Sequence, residues 1–206
     1  MRYDKGIFIV FEGMDGSGKT TQFVMVGKYL ENIFPGKVVL TKEPSNSKYG
    51  KKIRRLLYDK KRKTNREEFE MLFTLDRREH LKKEIIPALK EGKIVLSDRY
   101  YHSTLVYQLP EKKWKDYEKK FLKPDVTYIF DLNVNMALKR ILSSREKITV
   151  FEKKKNLKSQ RRKYLKLAKI FDNIKIINSE NSPKKIFNEV INDIIKRYLE
   201  KQDKVK

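Results

Sequence analysis

The clearest chemical signature in the chain is a glycine-rich segment near its beginning. The sequence Gly13-Met14-Asp15-Gly16-Ser17-Gly18-Lys19-Thr20 has the spacing G-x-x-x-x-G-K-[ST] and follows the apolar run 7–11. In this pattern the glycines let backbone N–H groups curve around phosphates, the lysine reaches the β- and γ-phosphates, and the threonine hydroxyl can bind Mg²⁺. A helix beginning near Ser17 would add the positive end of its dipole. The pattern therefore predicts binding of a nucleoside triphosphate, with Lys19 and Thr20 as ligands; a glycine-rich turn that matches by chance is the alternative.

The elements around this segment alternate between strand and helix patterns. Short apolar runs predict strands at 7–11, 38–41, 94–96, 126–132 and 174–177. Helical patterns cover 20–34, a long stretch opened by a capping box at Thr64 to Glu67 and stopped at Gly92, and a C-terminal stretch after Ser182-Pro183. The segment 109–123, which holds Trp114, is predicted to be a loop with a short helix. This order predicts an α/β fold with a doubly wound parallel sheet, whose ligands lie at the carboxyl ends of the strands.

Length and composition indicate one globular domain over residues 1–206. The chain is 39% hydrophobic, and no apolar run approaches the roughly 20 residues of a membrane span. The N-terminal residues do not have the pattern of a cleaved signal, so we expect a cytoplasmic protein without membrane contact. Because the chain has no cysteine, disulfides, thiolate metal sites and thiol catalysis are excluded.

The formal net charge of +23 raises the question of nucleic-acid binding. Lysine and arginine are spread along the whole chain, and no separate basic arm stands out. We therefore favour a solvated basic surface that also attracts anionic nucleotides over binding of a polynucleotide.

Further short motifs occur in a fixed order along almost the whole chain. The most specific are Phe73-x-x-x-Arg77 and Asp98-Arg99-Tyr100. The others are Phe11 to Thr21, Lys42-Glu43-Pro44, His80, Pro87-Ala88-Leu89, Ser103-Thr104, Tyr107-Gln108, Pro124-Asp125, Asp131-Leu132, Phe151-Glu152, Arg161, Tyr164, Leu165 and Ala168. Together they resemble the thymidylate kinase family of P-loop nucleoside monophosphate kinases, which implies a P-loop NTPase-type, five-stranded parallel sheet flanked by helices.

The resemblance implies transfer of the γ-phosphate of ATP to dTMP, with Mg²⁺ as cofactor. It implies a metal site at Thr20 and Asp98. The residues it implies for ATP binding are Gly13, Met14, Asp15, Gly16, Ser17, Gly18, Lys19, Thr20 and Thr21. Those it implies for dTMP binding are Asp15, Lys42, Phe73, Arg77, Arg99, Ser103, Thr104 and Tyr107.

The resemblance also implies individual roles in the dTMP site. Phe73 would lie against the thymine face and Arg77 would bind its O4, which suits a flat base with a carbonyl edge. Ser103 and Thr104 would read the base edge, and Tyr107 would exclude a 2′-hydroxyl. An ordinary helix-core position for Phe73 with a solvated Arg77 is the alternative interpretation.

Other implied roles concern the phosphates. Asp15 would approach the sugar 3′-hydroxyl and the metal region, and Arg99 would bind the phosphate of the acceptor and the group in transfer. A structural salt bridge is the alternative for the Asp98-Arg99 pair. Lys42, where many relatives carry arginine, would contact the acceptor phosphate.

A basic segment at about 143–155 lies between two helical stretches, where a lid over the phosphates is expected. Where lids of this type commonly read Asp-Arg-Phe-Glu, this chain reads Thr149-Val150-Phe151-Glu152. In the family that this chain resembles, some members carry a basic residue at the position of Gly16, and others with glycine there supply an arginine from the lid. Since this chain has Gly16, the resemblance implies that a cation of the lid region supplies the charge. We predict Arg145 or Arg161 as its main source, with Lys147 and Lys153 as the other candidates.

The sequence leaves other functions open. These are a kinase for another deoxynucleoside monophosphate or nucleoside, a weakened paralogue, and a nucleic-acid-associated P-loop ATPase. The resemblance implies a homodimer formed through helices that include residues 64–86. His80 and His102 are expected to be structural or surface residues.

Overall fold

The computed structural model of the chain describes residues 5–59, 65–144 and 154–203 and is built around one parallel β-sheet. The sheet has five strands in the order β2-β3-β1-β4-β5. All four strand pairs are parallel, which confirms the predicted fold class. The strands are β1 (Ile7–Glu12), β2 (Val38–Lys42), β3 (Ile94–Asp98), β4 (Val126–Asp131) and β5 (Ile174–Asn178).

The central strand β1 is buried along its whole length because helices cover both faces of the sheet. Alternate side chains point to opposite faces, so Phe8 and Val10 join one apolar cluster while Ile7 and Ile9 join another. This explains why strand β1 reads as a continuous apolar run.

The helices lie in two layers. Helices α1 (Lys19–Ile33) and α9 (Pro183–Asp203) pack together against one face, and the predicted start of α9 after Ser182 is confirmed. The remaining helices are α2 (Lys48–Tyr58), α3 (Arg66–His80), α4 (Ile86–Lys90), α5 (Tyr101–Tyr107), α6 (Trp114–Glu118), α7 (Val134–Ser144) and α8 (Lys154–Ile170). Helices α5, α6 and α8 contribute to the apolar cluster on the second face.

The capping box of α3 lies one residue later than predicted. Thr64 is outside the described residues, and Asn65 caps the helix: its side chain accepts from the Glu68 backbone N–H at 2.8 Å, while the Glu68 carboxylate accepts from the Asn65 N–H at 3.0 Å. Asparagine is as good an N-cap as threonine, and Glu68 provides the carboxylate at the third helical position. After α3 the chain continues through a π-helical segment (Leu81–Ile85) into α4.

Helix α2 was not predicted from the sequence. Ser47 caps it by accepting from the Gly50 backbone N–H at 3.0 Å. A Cβ on Gly50 would lie 2.0 Å from the Ser45 carbonyl oxygen, so this close approach requires glycine. The apolar positions of α2 are few, and three of them, Ile53, Leu56 and Leu57, pack with α3 in a small cluster.

The segment 109–123 contains the short helix that was predicted. A 3₁₀ turn (Glu111–Lys113) leads into α6, where Trp114 is fully buried and donates from Nε1 to the Leu105 carbonyl at 3.0 Å. The predicted lid is mostly outside the described residues, which resume at α8. Within the described ranges, no helix combines the length and apolarity needed to cross a bilayer.

Candidate active site

The glycine-rich segment connects the end of β1 to the start of α1. Gly16 and Gly18 have φ angles of 78° and 83°, which glycine adopts without strain. A Cβ on Gly16 would lie 2.6 Å from the Ala137 carbonyl oxygen, so α7 approaches the loop too closely for a side chain there. The glycines thus allow the tight turn that a phosphate-binding loop requires.

Lys19, Thr20 and Asp98 meet at the carboxyl end of β3. The Lys19 ammonium is paired with Asp98 Oδ1, and the Thr20 hydroxyl donates to Asp98 Oδ2 at 3.1 Å. Burial and the neighbouring Arg99 lower the pKa of Lys19. Burial opposes ionisation of Asp98, but Lys19 and Arg99 outweigh it and lower the pKa of its carboxyl group. The structure thus holds a charged carboxylate beside the threonine hydroxyl.

Arg99 follows β3 in a left-handed backbone conformation, with a φ of 77°. This conformation is rare for a residue with a side chain and is a feature of functional sites. Its guanidinium donates to Asp15 Oδ1 at 2.7 Å, to the Gly13 carbonyl at 3.3 Å and to the Ser103 hydroxyl at 3.1 Å. Arg99 therefore connects the phosphate-binding loop to helix α5.

Glu12 supports this arrangement, although the sequence analysis assigned it no role. Its fully buried carboxylate accepts hydrogen bonds from the Tyr100 N–H, the Ser103 N–H and hydroxyl, and the Tyr164 hydroxyl, at 2.9–3.0 Å. Burial raises its pKa, against the effect of Arg99 3.9 Å away. A charged residue at the end of an otherwise apolar strand was the signal that could have identified it.

Arg77 lies at the other end of the candidate site and is buried, so the alternative of a solvated side chain is wrong. Its Nε and NH2 donate to Glu43 Oε2 at 2.9 and 2.6 Å, NH2 also donates to Thr104 Oγ1 at 3.2 Å, and NH1 donates to the Tyr117 hydroxyl at 3.1 Å. Its guanidinium carbon lies 5.3 Å from the Tyr100 ring centroid and 5.0 Å from that of Phe121.

Phe73 lies one helical turn before Arg77 on α3. It is half-buried, and its ring centroid is 6.3 Å from that of Phe69. Residues four apart on a helix share a face, so Phe73 and Arg77 face the same region. The two side chains thus extend from one side of α3, one helical turn apart.

The three candidate residues of α5 contact different parts of the site. The Thr104 hydroxyl lies with Arg77, whereas the Ser103 hydroxyl lies with Arg99 and Glu12. The Tyr107 ring centroid is 5.7 Å from the Arg99 guanidinium carbon, and its hydroxyl lies 3.4 Å from Gln160 Oε1. Helix α5 therefore spans the distance between the two arginines.

The loop after β2 is held by Asp76 of α3. This fully buried carboxylate accepts from the Ser45 N–H at 2.9 Å and from the hydroxyls of Ser45 and Ser47 at 2.6 Å. The loop carries Glu43, which binds Arg77. Lys42, which is exposed, lies at the end of β2 in register with Asp98.

Only some of the candidate lid cations lie within the described residues. Arg145 and Val150, with Lys147 and Lys153, lie outside the described residues. Arg161 of α8 donates to both oxygens of Asp131, at 2.7 and 2.9 Å. The sequence analysis missed Arg140 of α7, whose NH1 lies 3.5 Å from the Gly16 carbonyl oxygen.

The chain is similar to known proteins over most of its length. The family model for thymidylate kinase matches residues 11–190. A probable thymidylate kinase of Pyrococcus horikoshii is 40% identical over 197 residues, which cover 91% of this chain and 95% of that protein. A thymidylate kinase of Desulfotalea psychrophila is 42% identical over 160 residues, covering 74% of this chain and 77% of that protein.

A solved structure gives the same result. The crystal structure of thymidylate kinase from Ehrlichia chaffeensis superposes with a TM-score of 0.72 at 28% identity, covering 92% of this chain and 98% of that one. The resemblance found in the sequence motifs is therefore confirmed over nearly the full length. The chain belongs to the thymidylate kinase family.

Proposed function

We propose that this chain transfers the γ-phosphate of ATP to dTMP and produces ADP and dTDP for dTTP synthesis. The observation that carries the proposal is the position of Arg99, which contacts the phosphate-binding loop on one side and α5 on the other. An acceptor phosphate at Arg99 would lie between the loop and the base-recognition residues at Arg77. The family membership supports the identity of the acceptor.

Base recognition is assigned to Phe73, Arg77 and Thr104. The thymine ring stacks on Phe73, and Arg77 donates to its O4 with the Thr104 hydroxyl beside it. Tyr107 packs against the deoxyribose. Asp15 and Ser103 orient the sugar and phosphate end, because both are hydrogen-bonded to Arg99.

Phosphate transfer is assigned to positioning and charge neutralisation. A monophosphate is already largely ionised near neutral pH, so its oxygen attacks the γ-phosphorus without a dedicated general base. Lys19 stabilises the β- and γ-phosphates, Arg99 the transferred group and Lys42 the acceptor phosphate. The backbone N–H groups of residues 13–21 bind the remaining phosphate oxygens.

Thr20 and Asp98 suit a magnesium ion on the nucleotide. Both supply oxygen ligands, which Mg²⁺ prefers, and they are hydrogen-bonded to each other at 3.1 Å. Within the described residues no cluster of three or more histidine or acidic side chains could hold a metal alone, which fits an ion bound mostly through phosphates and water. Such an ion would neutralise charge on the β- and γ-phosphates.

A substrate panel tests the proposal. Purified protein with Mg²⁺-ATP and each of dTMP, dUMP, dCMP, dGMP, AMP, UMP and thymidine should give diphosphate selectively from dTMP, measured by chromatography. The Lys19→Ala variant controls for contaminating kinases and should lose the activity. Faster transfer to another acceptor, or no transfer to any, would reject the proposal.

We assign to Arg145 or Arg161 the additional positive charge that stabilises the phosphoryl group during transfer. We expect Arg145→Ala or Arg161→Ala to lower kcat by a factor on the order of 10³, the contribution of an arginine finger, while Lys158→Ala on the exposed side of α8 leaves it unchanged. Single-turnover transfer to dTMP measures the effect. If both arginine variants stay within about threefold of the wild type, well under that range, neither residue supplies the charge.

We also propose that the chain acts as a cytoplasmic homodimer formed through the α3 surface. Met71 of α3 is 56% exposed, which is compatible with an apolar contact at that surface. Light scattering after size exclusion should give the dimer mass for the wild type and the monomer mass for Met71→Lys. A monomeric wild type would contradict the proposal.

A further inference from the structure

His80 is a buried histidine directly beside the base-recognition residues. It ends α3, one turn after Arg77, and its side chain is 1% exposed. Its Nε2 lies 2.7 Å from the Thr41 hydroxyl and 3.5 Å from Glu84 Oε2, and its Nδ1 lies 3.5 Å from Glu43 Oε1. Carboxylates therefore face both ring nitrogens.

Glu43 divides its two oxygens between His80 and Arg77. Both Arg77 donors, Nε and NH2, bind Oε2, while Oε1 faces His80 Nδ1. A carboxylate paired with one arginine usually offers both oxygens to it. Here the second oxygen faces the histidine at 3.5 Å, so His80 is the neighbour of the Glu43 oxygen that Arg77 does not use.

The hydrogen bonds of Arg77 define what it can offer a ligand. A guanidinium has five N–H donors. Two bind Glu43, one binds Thr104 and one binds Tyr117, which leaves one NH1 hydrogen without a partner among the described residues. The direction of that hydrogen depends on the Glu43 carboxylate, because Glu43 holds the other side of the guanidinium.

We propose that His80 is a positioning residue for recognition of the acceptor base: it acts through Glu43 to aim the remaining N–H of Arg77 into the acceptor site. The inference rests on the proposed dTMP kinase function and extends it to a residue that does not touch substrate. A positioning role explains why His80, a second cation, is buried next to Glu43, whose charge Arg77 already neutralises.

The charge on His80 supports this role. Burial acts to lower the pKa of His80, but hydrogen bonds to Glu43 and Glu84 outweigh it and raise the pKa to about 9. Two charged groups face the ring directly: Glu43, which follows β2, and Glu84 of the π-helical segment. Arg77 is the next charged group and is paired with Glu43. The neutral contact is the hydroxyl of Thr41 on β2. At neutral pH both ring nitrogens carry hydrogen, so Nδ1 can donate to Glu43 while Nε2 donates to Thr41.

A purely structural role for His80 predicts a different kinetic result. Loss of core packing would lower the melting temperature and the amount of active enzyme, but it would not change one Michaelis constant selectively. Loss of Arg77 alignment weakens ground-state and transition-state binding of the base alike, which raises KM for dTMP and leaves kcat in place.

The test compares His80→Leu and His80→Gln with wild type and with Lys83→Gln. Lys83 is on the neighbouring turn and its side chain is 71% exposed, so Lys83→Gln is a matched control for loss of a positive charge. At pH 7 we expect His80→Leu to raise KM for dTMP about tenfold, since it removes a hydrogen bond to a charged group, with KM for ATP and kcat within about twofold. The ratio of kcat/KM for dTMP to that for dCMP should fall by a similar factor.

His80→Gln keeps a donor for Glu43 and should rescue part of the loss. It also serves as the test variant if His80→Leu does not fold. Between pH 7 and 10, KM for dTMP should rise in the wild type as His80 loses its proton, and this rise should be smaller in His80→Gln. Ionisation of the thymine itself affects both enzymes, so the difference between the two profiles reports His80.

The outcomes separate this inference from the proposed function. A wild type that phosphorylates dTMP, with variants that keep its KM and its dTMP to dCMP ratio, would reject the positioning role alone. An equal loss of kcat for all substrates would also reject it, in favour of a structural role. A wild type without activity on dTMP would instead reject the function on which the inference rests.

Discussion

Single side chains in this protein illustrate how burial changes the chemistry of the same residue type. His80 and His102 are both fully enclosed, so neither is a surface residue. His80 contacts two carboxylates, and hydrogen bonds to them raise its pKa to about 9. His102 has no hydrogen-bond partner on either ring nitrogen in the described structure, and its ring is stacked on Tyr101 with centroids 4.1 Å apart. Burial, with a smaller contribution from Arg77, lowers the pKa of His102 to about 3.

This shift makes His102 a source of acid sensitivity. An unfolded histidine has a pKa of about 6.5, so below that pH the unfolded chain binds a proton that folded His102 rejects. The free energy of unfolding should therefore fall as the pH drops from about 6.5 towards 3, by up to about 1.4 kcal/mol per pH unit from this residue. His102→Leu should show a flatter decline in urea unfolding between pH 7 and 4.

The carboxylates of the protein also contribute to acid unfolding, but they are common to both proteins. The difference between the wild-type and His102→Leu profiles therefore isolates the histidine. Parallel profiles would show that His102 is protonated in the folded state or has found a partner.

The contact between α3 and the loop after β2 shows how one element positions several site residues. Helix α3 carries Phe73, Arg77 and His80 on successive turns, and Asp76 of the same helix binds the loop that carries Glu43. Arg54 of α2 adds hydrogen bonds to the carbonyls of Pro44 and Ser45, at 2.7 and 2.8 Å. The base-recognition side chains therefore depend on the packing of these elements.

We expect Asp76→Asn to weaken both stability and acceptor binding. The amide cannot accept at both oxygen positions, so at least one of the Ser45 and Ser47 hydrogen bonds is lost, at a cost of about 1–3 kcal/mol. Thermal unfolding and KM for dTMP should both change, whereas KM for ATP should not. Ser45→Ala, which removes only one hydroxyl, is the milder control; an unchanged KM for dTMP in Asp76→Asn would show that the loop does not depend on this anchor.

The net charge of +23 is a property of the entire chain, and we expect it to act on substrate capture. Both proposed substrates are anions, so a basic surface raises their local concentration, and added salt screens this effect. The values of KM for ATP and dTMP should rise between 50 and 300 mM KCl while kcat changes little. Steady-state kinetics over this range measures the effect.

Adding DNA or RNA to the assay tests whether the positive charge serves polynucleotide binding instead of nucleotide capture. If the charge serves nucleotide capture, DNA and RNA should compete weakly at low salt and should not stimulate ATP hydrolysis. Strong stimulation of ATP hydrolysis by DNA, without transfer to dTMP, would support the ATPase alternative instead.

Much of the fold could be predicted from local patterns. The apolar run 7–11, the glycine spacing that follows it and the strand–helix alternation predicted the sheet. Four predicted strands end within one residue of the observed ends, and β3 extends two residues further than predicted. These features depend on neighbours in the chain, such as side-chain alternation and the backbone freedom of glycine. Helix α2 was not predicted because its sequence is short and mostly basic. The N-cap of α3 was predicted one residue too early because Thr64 and Asn65 both suit an N-cap.

The sequence singled out candidate site residues, whose roles stay predictions, but it did not indicate which partners hold them. Lys19, Arg77 and Arg99 stood out by motif. The environment of Glu12, the division of Glu43 between Arg77 and His80, and the opposite charge states of His80 and His102 could not be read from the chain, because their partners come from elements far apart in sequence. The spacing of residues in the sequence indicates which side chains are candidates for the site. Their charge states and orientations depend on burial and on distances to partners, and burial and these distances arise only when the helices pack on the sheet.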